Sequence, residues 1–161
     1  MIYPSNFETK IQFSEIRSLL KGYCLSQLGK DKVDTMAFSD DAEQINMALR
    51  QTREFRRMQE EADDFPLQFF FDMRASIKRI RIEGTHLEEN EIFDLRRSLE
   101  TIAGIVRFLN RSDDDGNFDY PTLHSLTEDV LTFPDLIRRI DQILDKYGKI
   151  KDTASPKLAE I

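Results

Sequence analysis

The sequence predicts an all-α fold, an irregular multi-helix bundle with one short extended segment near residues 149–152. Three observations predict it. In Thr85 to Asn110 the apolar residues Ile92, Leu95, Leu99, Ile102, Val106 and Leu109 recur in steps of 3, 4, 3, 4 and 3, a spacing that forms one stripe only on an α-helix. Capping residues precede most of the other apolar segments, as Ser14, Ser26 and Ser39 do. Alternation of the strand kind is read only at Lys149-Ile150-Lys151-Asp152.

Taken in order, Pro4-Ser5-Asn6 is an irregular start, and Asn6 is placed to cap a short helix from Phe7 to Ile11. Ser14 is the expected N-cap of a helix reaching about Cys24, with Ile16, Leu19, Leu20 and Tyr23 inward; Gly22 weakens it. Ser26 opens a second short helix that turns Leu28, Val33 and Met36 to the core, and a break follows at Ala37-Phe38. Ser39 opens a long helix through Asp64. Asp40, Asp41 and Glu43 suit the positive end of its dipole, and Ile45, Ala48, Leu49, Thr52, Phe55 and Met58 form its inward face. The acidic end, Glu60, Glu61, Asp63 and Asp64, opposes the dipole and is expected to fray; Pro66 stops the helix.

Phe69, Phe70 and Phe71 fit neither period, so Leu67 to Met73 is read as a loop that plugs aromatics into the core. A short helix, MRASIKRI, and an exposed link, RIEGT, lead to the long helix from Glu88 to Leu109, about 33 Å at roughly 1.5 Å per residue. Thr85 and Glu88 have the spacing of a capping box. The other segments are expected to pack around this helix. Ser112 to Asn117 is an exposed turn. Thr122 to Leu131 and Pro134 to Asp145 read as two more helices, the second burying Leu136, Ile137, Ile140, Ile143 and Leu144, with Gly148 at a C-terminal cap position. Ser155-Pro156 is a strong helix start. The organisation expected is a helical core domain over 1–152 and the start of a truncated helix over 153–161.

At 161 residues, with 33% charged and 40% hydrophobic residues, the chain suits one globular domain able to bury a core. A net charge of -7 gives no bulk attraction for nucleic acid or acidic membranes and leaves room only for local basic patches. The single cysteine, Cys24, excludes an internal disulfide, fits a reducing compartment and reads as a small apolar residue. No apolar run is long enough for a membrane span and no secretory signal is seen, so no membrane partner and a cytoplasmic location are expected.

No catalytic constellation emerges. The six glycines are scattered, and Gly29-Lys30 lacks the earlier glycine and the following Ser or Thr of a phosphate loop. His86 and His124 have no Cys or second His at zinc-ligand spacing. Asp113, Asp115 and Asn117 match the first three oxygen positions of a calcium loop, but Phe118 stands where it needs glycine and His124 where it needs glutamate, so a solvated acidic turn is expected. No two carboxylates are paired in a pocket by the sequence, so no general acid or base is nominated, and no catalytic, cofactor-binding or metal-ligating residue is assigned. The candidate contacts to DNA phosphates are Arg74, Lys78, Arg79 and Arg81, with no acid between Met73 and Ile82. Arg74, Lys78 and Arg81 would share a helix face. The plainer alternative is a solvated face paired with Glu60 to Asp64. A second set, Arg50, Arg53, Arg56 and Arg57, is interleaved with Glu54.

Several stretches carry a family resemblance. A phenylalanine and a lysine precede Phe13, followed by the run Ile16 to Leu20, SQLGK at Ser26 to Lys30, QTREFRRM at Gln51 to Met58, IKRIRIEGTHLE at Ile77 to Glu88, and the run Asp152 to Leu158. In order and spacing the chain resembles the amino-terminal core and lever region of MutS-like DNA repair and recombination ATPases, of the branch that lacks the mismatch-reading and connector domains. The resemblance implies a segment that connects ATPase state to a DNA clamp and does no chemistry itself. It implies as partners the rest of its own polypeptide, DNA through the full-length protein, and a homodimer through a carboxy-terminal ATPase domain that would bind ATP and magnesium. Many members of the branch also carry a Smr nuclease domain. No ATPase or nuclease motif is present in this chain. Phe13-Ser14-Glu15 matches the Phe-x-Glu of mismatch readers, but that motif sits in a mixed α/β domain, so no mismatch contact is assigned. The alternative function is a stand-alone helical adaptor that grips a partner through an apolar groove, with Phe69 to Phe71 as its anchor.

Overall fold

The computed structural model describes residues 6–155 and is all-α. Its helices are α1 (Phe7–Lys10), α2 (Phe13–Tyr23), α3 (Gln27–Asp34), α4 (Ala42–Glu61), α5 (Arg74–Arg79), α6 (Glu89–Leu109), α7 (Pro121–His124), continued by a 3-10 turn over Ser125–Thr127, and α8 (Pro134–Ile143). The chain divides between Phe38 and Ser39 into two compact units. Pro4, Ser5 and the segment from Pro156, where a further helix is expected to start, lie outside the described residues; residues 152–155 form turns and bends.

In the first unit Arg17 ties three helices together. From α2 it donates to the Val33 carbonyl at 2.8 Å and to both carboxylate oxygens of Glu8 at 2.9 Å, and its guanidinium lies over the Phe13 ring. Lys21 pairs with Asp34. Ser26 caps α3 as expected, its hydroxyl accepting from the Gly29 N–H at 3.1 Å. The other two expected caps differ. Asn6 makes no side-chain bond to α1. Ser14 lies inside α2, which starts one residue earlier after Gln12, itself in the left-handed region at φ 58. Cys24 is half-buried, and its thiol donates to the Leu20 carbonyl at 3.3 Å.

In the second unit α4 is capped by Asp41 rather than Ser39: Asp41 accepts from the N–H groups of Glu43 and Gln44 at 2.9 and 3.1 Å. Ser39 supports this cap by accepting from the Asp41 N–H. The helix stops at Glu61, before the acidic end completes another turn against the dipole. Along α4, Met58 is buried and Phe55 half-buried, while Ile45 and Leu49 are exposed, so its inward face narrows to the C-terminal half. There Met58 joins Phe108, Leu109, Tyr120 and Leu123 in the core, with Phe65 set edge-on to Phe55 and Phe108. Glu54 reaches from α4 to the start of α7 and accepts from the N–H groups of Thr122 and Leu123 at 3.1 and 2.8 Å, taking the place of a local cap.

The long helix has the expected extent, but its box is Glu88 with Glu91, not Thr85 with Glu88. Thr85 instead donates to the carbonyls of Arg79 and Ile82 and closes the turn before the helix. The buried stripe is shifted by one residue. Ser98, Thr101 and Phe108 are buried and Ile105 is half-buried, whereas Ile102 is 39% exposed and, of the six expected positions, Leu109 alone is buried. One residue is about 100° on a helix. The cause is the extended strap 62–73. It has no helix of its own to use its carbonyls, so Thr101 donates to Gln68 O at 2.8 Å and Ser98 to Phe69 O at 3.3 Å. Two hydroxyls are buried because an irregular backbone needs donors.

The segment after α7 is shorter than the helix expected over Thr122 to Leu131; the regular turn ends at Thr127. In α8, Ile140 and the following Leu144 are buried, Ile137 is half-buried, and Leu136 and Ile143 are exposed. The extended segment near 149–152 is a single antiparallel bridge between Leu144 and Ile150. Gly148 does not cap α8. It is the left-handed corner of the turn that makes this bridge, at φ 79, and a Cβ there would stand 2.6 Å from the Phe93 ring. The 112–117 turn has the same logic: Asp113 accepts from the Asn117 N–H at 2.8 Å and Gly116 has φ 82.

Candidate nucleic-acid interface

α5 is six residues long, and the four candidate cations fall on it and on the turn behind it. Arg74 and Lys78 are helical; Arg81 lies past the helix end, with its N–H on the Lys78 carbonyl. The helix face expected to carry all three is therefore completed by a turn. Gly84, at φ 82, and the Thr85 hydroxyl fold that turn back toward α6.

Of the expected acidic partners, Glu60 is engaged by Arg56, Glu61 by Arg57 and Asp64 by Arg111. Arg74 instead grips Asp72, with Nε to Oδ1 at 2.8 Å and a terminal nitrogen to Oδ2 at 2.6 Å. The Arg74 side chain, and then its backbone N–H, lowers the Asp72 carboxyl to about 2. Arg79 donates to the His86 carbonyl at 3.2 Å and pairs with Glu91. Lys78 and Arg81 make no ion pair among the described residues and are exposed. Two cations thus hold the element in place and two face solvent, free to meet phosphate oxygens.

Glu91 is the junction. At the third position of α6 it accepts from the Ser76 hydroxyl at 2.6 Å, from its own Glu88 N–H at 2.8 Å, and from Arg79. These donors, Ser76 first, lower its carboxyl to about 2. Sequence reasoning missed this role because Glu91 is a commonplace residue for a first helical turn; its spacing of three from Glu88 was the available signal.

The aromatic run lies beside this region on the strap. Phe69 is 44% exposed, and Phe70 and Phe71 are half-buried. The rings of Phe69, Phe71 and Phe93 surround the Arg97 guanidinium, with centroids 4.8, 4.5 and 4.5 Å from its central carbon. Phe69 adopts φ 64, a strained value for a bulky residue, held by this contact and by the Ser98 bond to its carbonyl. Two of the three phenylalanines proposed as an adaptor's anchor are thus engaged by an arginine of the same chain.

In the second basic set Arg56 and Arg57 pair with Glu60 and Glu61, and Arg57 also lies 4.9 Å over the Tyr120 ring. His86 is exposed near Glu88, and His124 stacks on Phe118 with centroids 3.5 Å apart. Among the described residues no group of three or more His, Cys, Asp or Glu is placed to hold a metal ion. None of the described helices is long and apolar enough to cross a membrane.

Comparison with known proteins gives no matching family model and no matching solved structure. It does give curated relatives. Endonuclease MutS2 of Symbiobacterium thermophilum is 28% identical over 151 residues, 94% of this chain and 18% of the relative. Endonuclease MutS2 of Latilactobacillus sakei is 28% identical over 92% of this chain and 19% of its own length, and that of a Geobacillus species 26% identical over 94% and 19%. The chain is thus similar, along nearly its whole length, to proteins named Endonuclease MutS2, of which it spans just under a fifth.

Proposed function

We propose that this chain is a core and lever segment of a MutS-family DNA-binding ATPase that acts in DNA repair or recombination control. The similarity to Endonuclease MutS2 proteins over 92–94% of the chain carries the reading. The segment couples ATPase state to the position of a DNA clamp and does no chemistry itself. The packing of the second unit supports such a role. One helix, α6, is joined to α5, the strap, α7 and α8, so a displacement at one end is passed on by rigid contacts rather than absorbed. In this reading its partners are the remainder of the polypeptide, DNA through the whole protein, and a second copy through the ATPase domain. Lys78 and Arg81, with Arg74 and Arg79 as their supports, are the phosphate contacts of the segment.

ATP, magnesium and any nuclease chemistry belong elsewhere in that parent protein. The chain's six glycines form no G-x-x-x-x-G-K-[ST] loop, and the described acids make no metal-holding group, so the residues present do not fit either cofactor.

Sequencing of the coding DNA past codon 161 tests the reading. The expected result is a frame that continues into a G-x-x-x-x-G-K-[ST] motif. A stop codon directly after Ile161 overturns it and favours the adaptor.

A further inference from the structure

The turn from Asp145 to Lys151 is built more firmly than a surface connection needs. The Asp145 carboxylate accepts from the N–H groups of Tyr147 and Lys149, both at 2.8 Å. The Asp145 N–H donates to Lys149 O at 2.7 Å, and the Gly148 N–H to Asp145 O at 3.1 Å. Gly148 is seated on the Phe93 ring, and the Ile150 N–H is held by Glu89 of α6 at 3.0 Å. On this rigid frame Tyr147 stands 72% exposed. A large ring held out in water by a fixed backbone is suited to recognition, because little order remains to be lost on binding.

The charge around the ring is uneven. Lys146, Lys149 and Lys151 lie within four residues of Tyr147. Four nearby acids are occupied: Asp145 by the turn itself, Asp141 by Arg96 at 2.8 Å, Glu100 also by Arg96, and Glu89 by the Ile150 N–H and Lys149; Asp152, beside Lys151, is exposed. Lys146 rests 4.9 Å from the Tyr147 ring, and Lys151 donates to a backbone carbonyl, not to a carboxylate. Beside the ring is an open groove of about 630 Å³, lined by the rings of Phe69, Phe93 and Tyr147, by Arg96, Arg97, Lys146 and Lys151, and by the acids Glu100, Asp141 and Asp145. The buried Nε of Arg97 there has no acceptor. A flat ring flanked by amines asks for a ligand that carries a flat ring and an anion at fixed spacing, and a nucleotide does so.

We infer that the 145–151 turn is a binding site for single-stranded nucleic acid, in which Tyr147 stacks on an unpaired base and Lys146 and Lys151 face the adjoining phosphates, while Lys149 stays on Glu89. The site is separate in sequence from α5. Both are anchored in the first turn of α6, the turn through Glu89 and α5 through Glu91. It reads a base face, which the phosphate contacts at Lys78 and Arg81 do not.

The test is fluorescence anisotropy of the 161-residue chain with a labelled oligothymidylate and with a blunt duplex of equal length, at low salt. The chain has no Trp, so tyrosine emission reports stacking directly. The oligothymidylate binds more tightly than the duplex and quenches tyrosine emission. Tyr147→Ala weakens this binding about tenfold and removes the quench, from the usual strength of base–aromatic stacking, while Tyr147→Phe keeps the affinity. Melting is unchanged in both variants, because the ring is exposed. Lys78→Glu lowers the salt slope of duplex binding by about one and leaves the preference for the single strand intact. That arm fails independently if α5 makes no phosphate contact. No oligothymidylate binding at low salt, equal affinity for strand and duplex, or parental affinity in Tyr147→Ala each overturns the inference.

Discussion

At its C-terminal end α6 presents Phe108 and Leu109 to Met58, Tyr120 and Leu123, and all five are buried. At its N-terminal end it presents Glu89 and Glu91, which hold the 145–151 turn and α5 through hydrogen bonds and ion pairs at a largely exposed surface. The apolar end is bound by contacts without direction, strong in sum and tolerant of small rotations. The polar end is bound by few contacts that each specify an angle. The first kind supplies stability and the second supplies aim. In the proposed role, in which the basic patch on α5 meets phosphates, the second kind matters more.

The sharpest way to break the contrast is at the apolar end. Met58→Ala removes the most buried hydrophobic side chain among the described residues, at 1% exposure, and is expected to lower stability by about 2–5 kcal/mol, read by urea unfolding. A loss below that range would mean that the core is not centred there. Thr101→Val lies between the two regimes. It keeps the volume and leaves the Gln68 carbonyl without its 2.8 Å donor, so about 1–3 kcal/mol is expected, together with faster amide exchange along the strap. The smallest global effect is at the polar end, and it depends on pH. Glu91 and Asp72 have folded-state values lowered to about 2. Their contribution is therefore full above the ordinary carboxylate range, near about 4, and is lost as pH falls through that range toward about 2. Residues 74–91 should lose hydrogen-exchange protection in that window, while the Met58 core keeps its own. Glu91→Gln should show the loosened state already at neutral pH.

Much of this architecture could be read from the residues. The period of α6, the cap at Ser26, the turn at Asp113 and the absence of a helix across Phe69 to Phe71 all follow from local chemistry. The phase of α6 did not follow, because hydropathy scores Ser98 and Thr101 as outward, and only the strap's unmet carbonyls turn them inward. The caps at Asp41 and Glu88 were missed where several oxygen-bearing residues stand in a row and sequence cannot choose among them. The four basic positions were legible as a cluster. Their division into two that brace and two that are free was not, since it depends on Asp72 and on Glu91, which reaches α5 from another helix.

The one-helix arrangement also has a genetic consequence. Along α6 the acids at 89 and 91, the hydroxyls at 98 and 101, and the apolar residues at 108 and 109 each meet a different neighbour. A single codon inserted after Leu95 would turn one half against the other by about 100° and push it along by about 1.5 Å, so that no rotation satisfies all three sets. The exposed turn at 113–117 is held by bonds within itself, through Asp113 and Asn117, and can lengthen at small entropic cost. Among descendants of this gene, length changes should therefore collect at that turn and spare the helix, which acts as the ruler of the unit.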